Sequence, residues 1–227
     1  MGALLLVLIA AAPAAVQLNT DGFRLYRKGE LEPALQKFQL AVAADDTYAL
    51  AHYNAAATMA RLKTARDLCG GGPEYDVLGE LTRAIELDPG RRKRALADAD
   101  FKPLMGTLAY RRLLLGVSEK THLRLLLEGT SFSSFASWGS FGNLVNLRFL
   151  PNGQLQLGIR EVSDVEPFSN RFVDHPGTWR VEGTTLHIRM KRAADKKYEG
   201  KATFLNDELE FPSLGKLVNY VSGACDA

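Results

Sequence analysis

Two hydrophobic rhythms divide the chain. From Leu18 the apolar and small positions recur at helical spacing: Gly22, Leu25, Gly29, Leu31, Ala34, Phe38 and Ala41. Small Gly22 and Ala34 let two helices approach closely, and large Leu25 and Phe38 fill the space between them. Gly29 marks the turn, and Pro33 suits the first turn of the next helix, where a missing N–H costs nothing. Leu35, Phe38, Ala41 and Val42 form that helix's apolar stripe. A second pair follows. Ala51-His52-Tyr53-Asn54-Ala55-Ala56 opens it, and Val77, Leu81, Ala84 and Ile85 form the stripe of its partner. Gly70-Gly71-Gly72 and Pro73 between them are costly inside a helix and loop out.

The period changes near Thr121. Val145, Leu147 and Phe149 alternate with Asn146 and Arg148; Leu155, Leu157 and Ile159 alternate with Gln154, Gln156 and Arg160. Pro151-Asn152-Gly153 is a turn, because Asn-Gly accepts positive φ. Trp179 and Val181, a turn at Glu182-Gly183, then Leu186, Ile188 and Met190 continue the set. Tyr198 to Phe204, Leu209 with Phe211, and Leu217 to Val221 complete it. His122 reads as the start of a strand and His175 as a loop residue. Seven or eight short strands joined by tight turns predict an antiparallel meander, closed as a small barrel or stacked as a two-sheet sandwich. The fold class is therefore α+β in two domains, residues 16–116 helical and 117–227 strand-rich, divided at Gly116.

The helical segment resembles the tetratricopeptide repeat, whose period is 34 residues. Ala56 follows Gly22 at that period, and Ala84 and Pro89 match the family's late Ala and closing Pro. Asp46 stands where the first unit would close on Pro. Arg94-Ala95-Leu96-Ala97-Asp98-Ala99-Asp100-Phe101-Lys102-Pro103-Leu104 resembles the segment that follows the last repeat in many bacterial proteins. That likeness implies a short terminal helix at Leu108–Leu115 and a stack that needs a cap. It also implies a protein or peptide partner on the concave face, where Asn19, Phe23, Tyr26, Arg27, Tyr53, Asn54 and Arg61 would point. Asn19 and Phe23 stand where a carboxylate-holding set has Lys and Asn. The alternative is that these residues only pack, face water or meet the second domain. Leu127-Glu128-Gly129-Thr130, Phe149 to Gly153 and Gly177 to Gly183 resemble strand-and-turn phrases of lipocalin-like and avidin-like barrels. Such a barrel either holds a small apolar ligand, lined by Trp138, Phe141, Trp179 and Phe204, or is filled by its own side chains.

Composition narrows the function. The formal charge is +2, without the basic excess of a non-specific nucleic-acid binder. No His, Cys or acidic set has metal spacing, no Gly-x-Ser-x-Gly elbow is present, and the glycine run lacks the Lys-Ser/Thr of a phosphate loop. Asp207, Glu208 and Glu210 straddle a hairpin; an edge strand explains them as well as a sugar or metal contact. These absences point to a non-enzymatic protein without cofactor. Gly2 to Ala15 carry no charge and have the length of a signal peptide's apolar core, with Ala12-Pro13-Ala14 as small residues near a cleavage point. This predicts export, to the periplasm or beyond, with residues 1–15 removed; the other reading is a buried first helix in a cytoplasmic protein. Peripheral membrane association stays open. Cys69 and Cys225 either form one disulfide in an oxidising compartment or remain separate thiols. The expected function is an exported interaction or scaffold protein, with a small-apolar-ligand carrier as the alternative.

Overall fold

The computed structural model describes residues 12–65, 75–134, 145–160, 172–191, 197–205, 208–211 and 214–220. It is an α+β protein of two compact units that divide between Pro103 and Leu104.

The first unit holds α1 (Pro13–Lys28), α2 (Leu31–Ala44), α3 (Ala49–Ala65), α4 (Val77–Leu87) and α5 (Gly90–Ala97), followed by a 3-10 run over Ala99–Gly106 that crosses the division. Gly29 ends α1 at φ +82°, a left-handed cap that a side chain resists, and α2 begins two residues later. α1 packs on α2, α2 on α3, and α3 on α4. The close approach predicted at Gly22 is present: a Cβ there would lie 2.8 Å from the Phe38 ring, which is fully buried. Ala34, Phe38, Ala41, Ala55, Ala56, Leu81 and Ala84 make the core. α1 starts at Pro13, and Ala15 is wholly buried, so part of the segment set apart as a leader belongs to this helix.

The second unit contains α6 (Leu108–Leu115), α7 (Glu119–Leu127) and eight strands: β1 (Ser131–Ser133), β2 (Val145–Phe149), β3 (Gln154–Arg160), β4 (Phe172–Glu182), β5 (Thr185–Lys191), β6 (Lys197–Leu205), β7 (Glu208–Phe211) and β8 (Gly215–Tyr220). Each strand pairs antiparallel with its neighbour in sequence, and β1 pairs with β8, so the meander closes as a barrel rather than a sandwich. Asn152 and Gly153 take φ +60° and +73°, as their turn requires. α6 spans the predicted residues.

Two sequence expectations are corrected. His122 lies in α7, not at the head of a strand, with non-helical backbone angles inside that helix. Leu123 and Arg124 alternate as a strand would, but Leu123, Leu126 and Leu127 also satisfy helical spacing, and burial selects the helix. These leucines, with Leu108 and Val117, share the barrel's core, so α6 and α7 group with the strands although their periodicity is helical. His175 lies within β4, not in a loop, and is buried. Pro176 is tolerated there because the ladder with β5 begins at the next residue, Gly177 opposite Met190.

Gly22→Ala is expected to destabilise the protein by about 1–3 kcal/mol, because the buried Phe38 ring has to yield. Gly106→Ala, with open space around its Cβ, is expected to stay within about 0.5 kcal/mol of wild type. Urea unfolding of the two variants distinguishes these outcomes.

Candidate functional site

The helical unit gathers its polar chemistry on one face, formed by α1, α3, α5 and the start of the 3-10 run. α1 brings Asn19, Phe23, Tyr26 and Arg27; α3 brings Tyr53, Asn54 and Arg61. The structure divides these seven residues into three groups.

The first group serves the fold. Asn54 donates to the buried Asn19 side chain at 2.9 Å, tying α3 to α1. Tyr53 is buried, packs edge-on to Phe101 with ring centroids 5.6 Å apart, and donates its hydroxyl to Asp98 at 2.6 Å. Arg94 and Arg91 lie over the Tyr53 ring, at 5.3 and 5.7 Å from its centroid. Burial, reinforced by the Asp98 carboxylate, pushes the Tyr53 hydroxyl's pKa well above the usual tyrosine value.

The second group is half-exposed. Tyr26 donates its hydroxyl to Asp100. The Arg61 guanidinium sits 4.7 Å from the Tyr26 ring centroid, and its Nε lies 3.9 Å from Asp100. Burial and the adjoining carboxylate push the Tyr26 hydroxyl up to about 12. Burial also raises Asp100, because its charge is only partly solvated. The third group faces water. Arg27 is exposed, and Phe23 is 45% exposed while stacking on Tyr26 with centroids 6.3 Å apart. What sets Phe23 apart from the other exposed apolar side chains is its place on a second aromatic ring that Arg61 covers from its own side.

The seven residues named from the repeat resemblance did not include Asp98, Asp100 and Phe101, which pack against them. Their spacing was visible in the closing segment; nothing in a helical period says that a following turn folds back onto the same face.

The barrel interior is built of large side chains. Phe132, Phe149 and Trp179 are buried, and Phe204 is partly buried against them. Phe149 meets Trp179 edge-on at 5.1 Å and Phe132 at 5.6 Å; Phe132 meets Phe204 at 6.1 Å. The Trp179 indole N–H donates to the Leu150 carbonyl, and Arg124 of α7 lies 5.8 Å from the indole ring centre. Gly177 has no room for a side chain, since a Cβ would lie 2.7 Å from the Arg189 carbonyl oxygen. The inward face of β4 carries one polar side chain, buried His175, between Val173 and Gly177. Trp138, Phe141, Cys69 and Cys225 lie outside the described residues, as does Asp207.

The remaining histidines are structural or superficial. His52 is buried, with Nδ1 2.6 Å from a Glu80 carboxylate oxygen and Nε2 3.0 Å from the Asp46 carbonyl, linking α3 to α4 and to the turn between α2 and α3. His187 lies on the outer face, 3.1 Å from Glu182. Glu208 pairs with Lys216 across the β7–β8 ladder at 3.3 Å. Among the described residues no group of three or more His, Cys, Asp or Glu is placed to hold a metal ion, and no helix is long and apolar enough to cross a membrane. No protein-family model, curated protein or solved structure matches the chain.

The raised tyrosines give a pH signature. The folded state holds these two protons more tightly than the unfolded chain, so their stabilisation is complete below about pH 10, the unfolded tyrosine value, and is lost as pH rises through the folded values. Stability should therefore fall from about pH 10 upward, and Tyr26→Phe should flatten part of that fall. Tyrosinate absorbance and thermal melting recorded on the same alkaline series measure both effects. An equal slope in wild type and variant contradicts the assignment.

Proposed function

We propose that the chain is a non-enzymatic interaction protein whose helical face binds a segment of another protein and whose barrel acts as a second, rigid recognition module. The observation that carries this reading is the open Phe23–Tyr26 stack beside Arg61 and Arg27. It sets an exposed aromatic surface next to positive charge on the helices whose repeat pattern implies a partner, and aromatic residues with Arg are the side chains that anchor interfaces. The packed Phe132–Phe149–Trp179–Phe204 cluster favours a platform over a container. The reading includes export of the mature chain, which rests on the uncharged apolar run at the N-terminus.

A small-apolar-ligand carrier is the second reading. Its support is His175, a polar side chain turned into an otherwise apolar barrel wall, as an orienting group for a bound molecule would be.

A photo-crosslinking side chain placed at position 23 of the full chain, expressed in its native host, distinguishes the two. The interaction reading predicts a discrete protein adduct at position 23, reduced about tenfold by Arg27→Glu, and none from a control at exposed Gln39 on α2. The carrier reading instead predicts a stoichiometric small molecule in organic extracts of the purified chain, lost in His175→Ala. Extracts containing that molecule, with no adduct at position 23, would overturn the primary reading.

A further inference from the structure

The face just described is covered in part by the chain's own closing segment. Asp98, Asp100 and Phe101 lie across α1 and α3 as a bound segment would: two carboxylates one residue apart, then an aromatic ring. Each is met by a dedicated partner. Asp98 accepts from Tyr53, which Arg91 and Arg94 flank. Asp100 accepts from Tyr26 and faces Arg61. Phe101 is fully buried against the Tyr53 ring. Arg91 is also paired with Asp88, at 2.9 Å. Arg61 lies over the Tyr26 ring and near Asp100, and Arg94 lies over the Tyr53 ring.

Two features make this occupant exchangeable. Past Asp98, which caps α5, its backbone is a 3-10 run over Ala99–Gly106, a conformation with poorer hydrogen bonds that rarely extends beyond three or four residues. Its neighbouring side chains Ala99 and Lys102 are exposed, so within residues 98–102 the inward side chains are Asp98, Asp100 and Phe101. The surface also extends past the occupant. Phe23 stacks on the Tyr26 ring, yet nearly half of it lies open to water, where an incoming chain can make first contact.

We propose that this face is a recognition site for an acidic segment of a partner protein, carrying the pattern carboxylate, any residue, carboxylate, aromatic, and that residues 98–101 occupy it in cis until such a segment displaces them. The inference rests on the interaction reading above and names the partner's chemistry. Tyrosine hydroxyls and guanidinium groups donate and do not accept in this arrangement, so a basic or purely apolar segment cannot replace the two carboxylates without stranding them.

The test uses the full chain and a fluorescent peptide with the sequence of residues 95–104. The double variant Asp98→Asn, Asp100→Asn weakens the cis contact while preserving side-chain shape. Its affinity for the peptide, read by anisotropy, is expected to exceed that of wild type by about tenfold. Arg61→Gln in the same background, or Asn in place of both Asp in the peptide, is expected to cancel the gain, and added salt to weaken it. A folded double variant that binds no better than wild type, or that binds the Asn peptide equally well, overturns the proposal. Should the double variant not fold, hydrogen exchange on wild type decides. Excess peptide is expected to speed exchange at the Asp100 and Phe101 amides, which bond to the Asp98 side chain and carbonyl; unchanged exchange overturns the proposal. Failure of the peptide with a persisting protein adduct at position 23 removes this inference alone. Failure of both removes the interaction reading as well.

Discussion

The hydroxyl of Tyr53 donating to Asp98 is the contact on which the organisation of the helical unit's polar face turns. Tyr53 sits in the second turn of α3, where its ring helps to fill the core and its oxygen needs a partner once buried. Asp98 supplies that partner from the end of α5. The bond draws the following turn onto the helices and delivers Phe101 against the same ring. Asp100 then falls within reach of Tyr26 and Arg61, so one buried polar requirement propagates into a joined set across α1, α3 and α5. Removing either partner of such a bond leaves a buried group unsatisfied, which costs more than the bond itself contributes.

The same constraint shapes the available function. A face that satisfies its own donors with carboxylates from within the chain is specific before any partner arrives. What stays open, Phe23 and Arg27, lies at the edge of the satisfied set. Asp100 marks the weak side of the arrangement, since burial raises its pKa and makes its charge less comfortable there than in water. The barrel is organised by different physics. Edge-to-face aromatic pairs and the Trp179 bond to the Leu150 carbonyl fix its described interior, and its only polar wall residue on β4 is His175.

Much of this was readable from residue spacing. Gly22 against Phe38, the left-handed turn at Gly29, the Asn152-Gly153 turn and the alternating strands each follow from a local rule with few competitors. The misreadings arose where two rules overlapped. Around Leu123 to Leu127 helical and strand periods fit the same short stretch, and only tertiary burial separates them. His175, read as a loop residue, lies in β4 next to Pro176, and the sequence does not show where one ladder ends and the next begins. Tyr53 and Phe23 illustrate the limit for function. Both fall on the face that the repeat pattern assigns to a partner, yet one is buried under Phe101 and the other is open, a difference set by a segment more than forty residues away in the chain.

The most direct measurement is a double-mutant cycle between Tyr53 and Asp98 in the full chain, using Tyr53→Phe, Asp98→Asn and their combination, read by equilibrium unfolding. The account predicts that the two substitutions are coupled by about 1–3 kcal/mol, the range for neighbouring groups that share one buried bond. Additive effects, with no coupling beyond experimental error, would mean that the turn after α5 is not held by this contact and would contradict the account of the helical face.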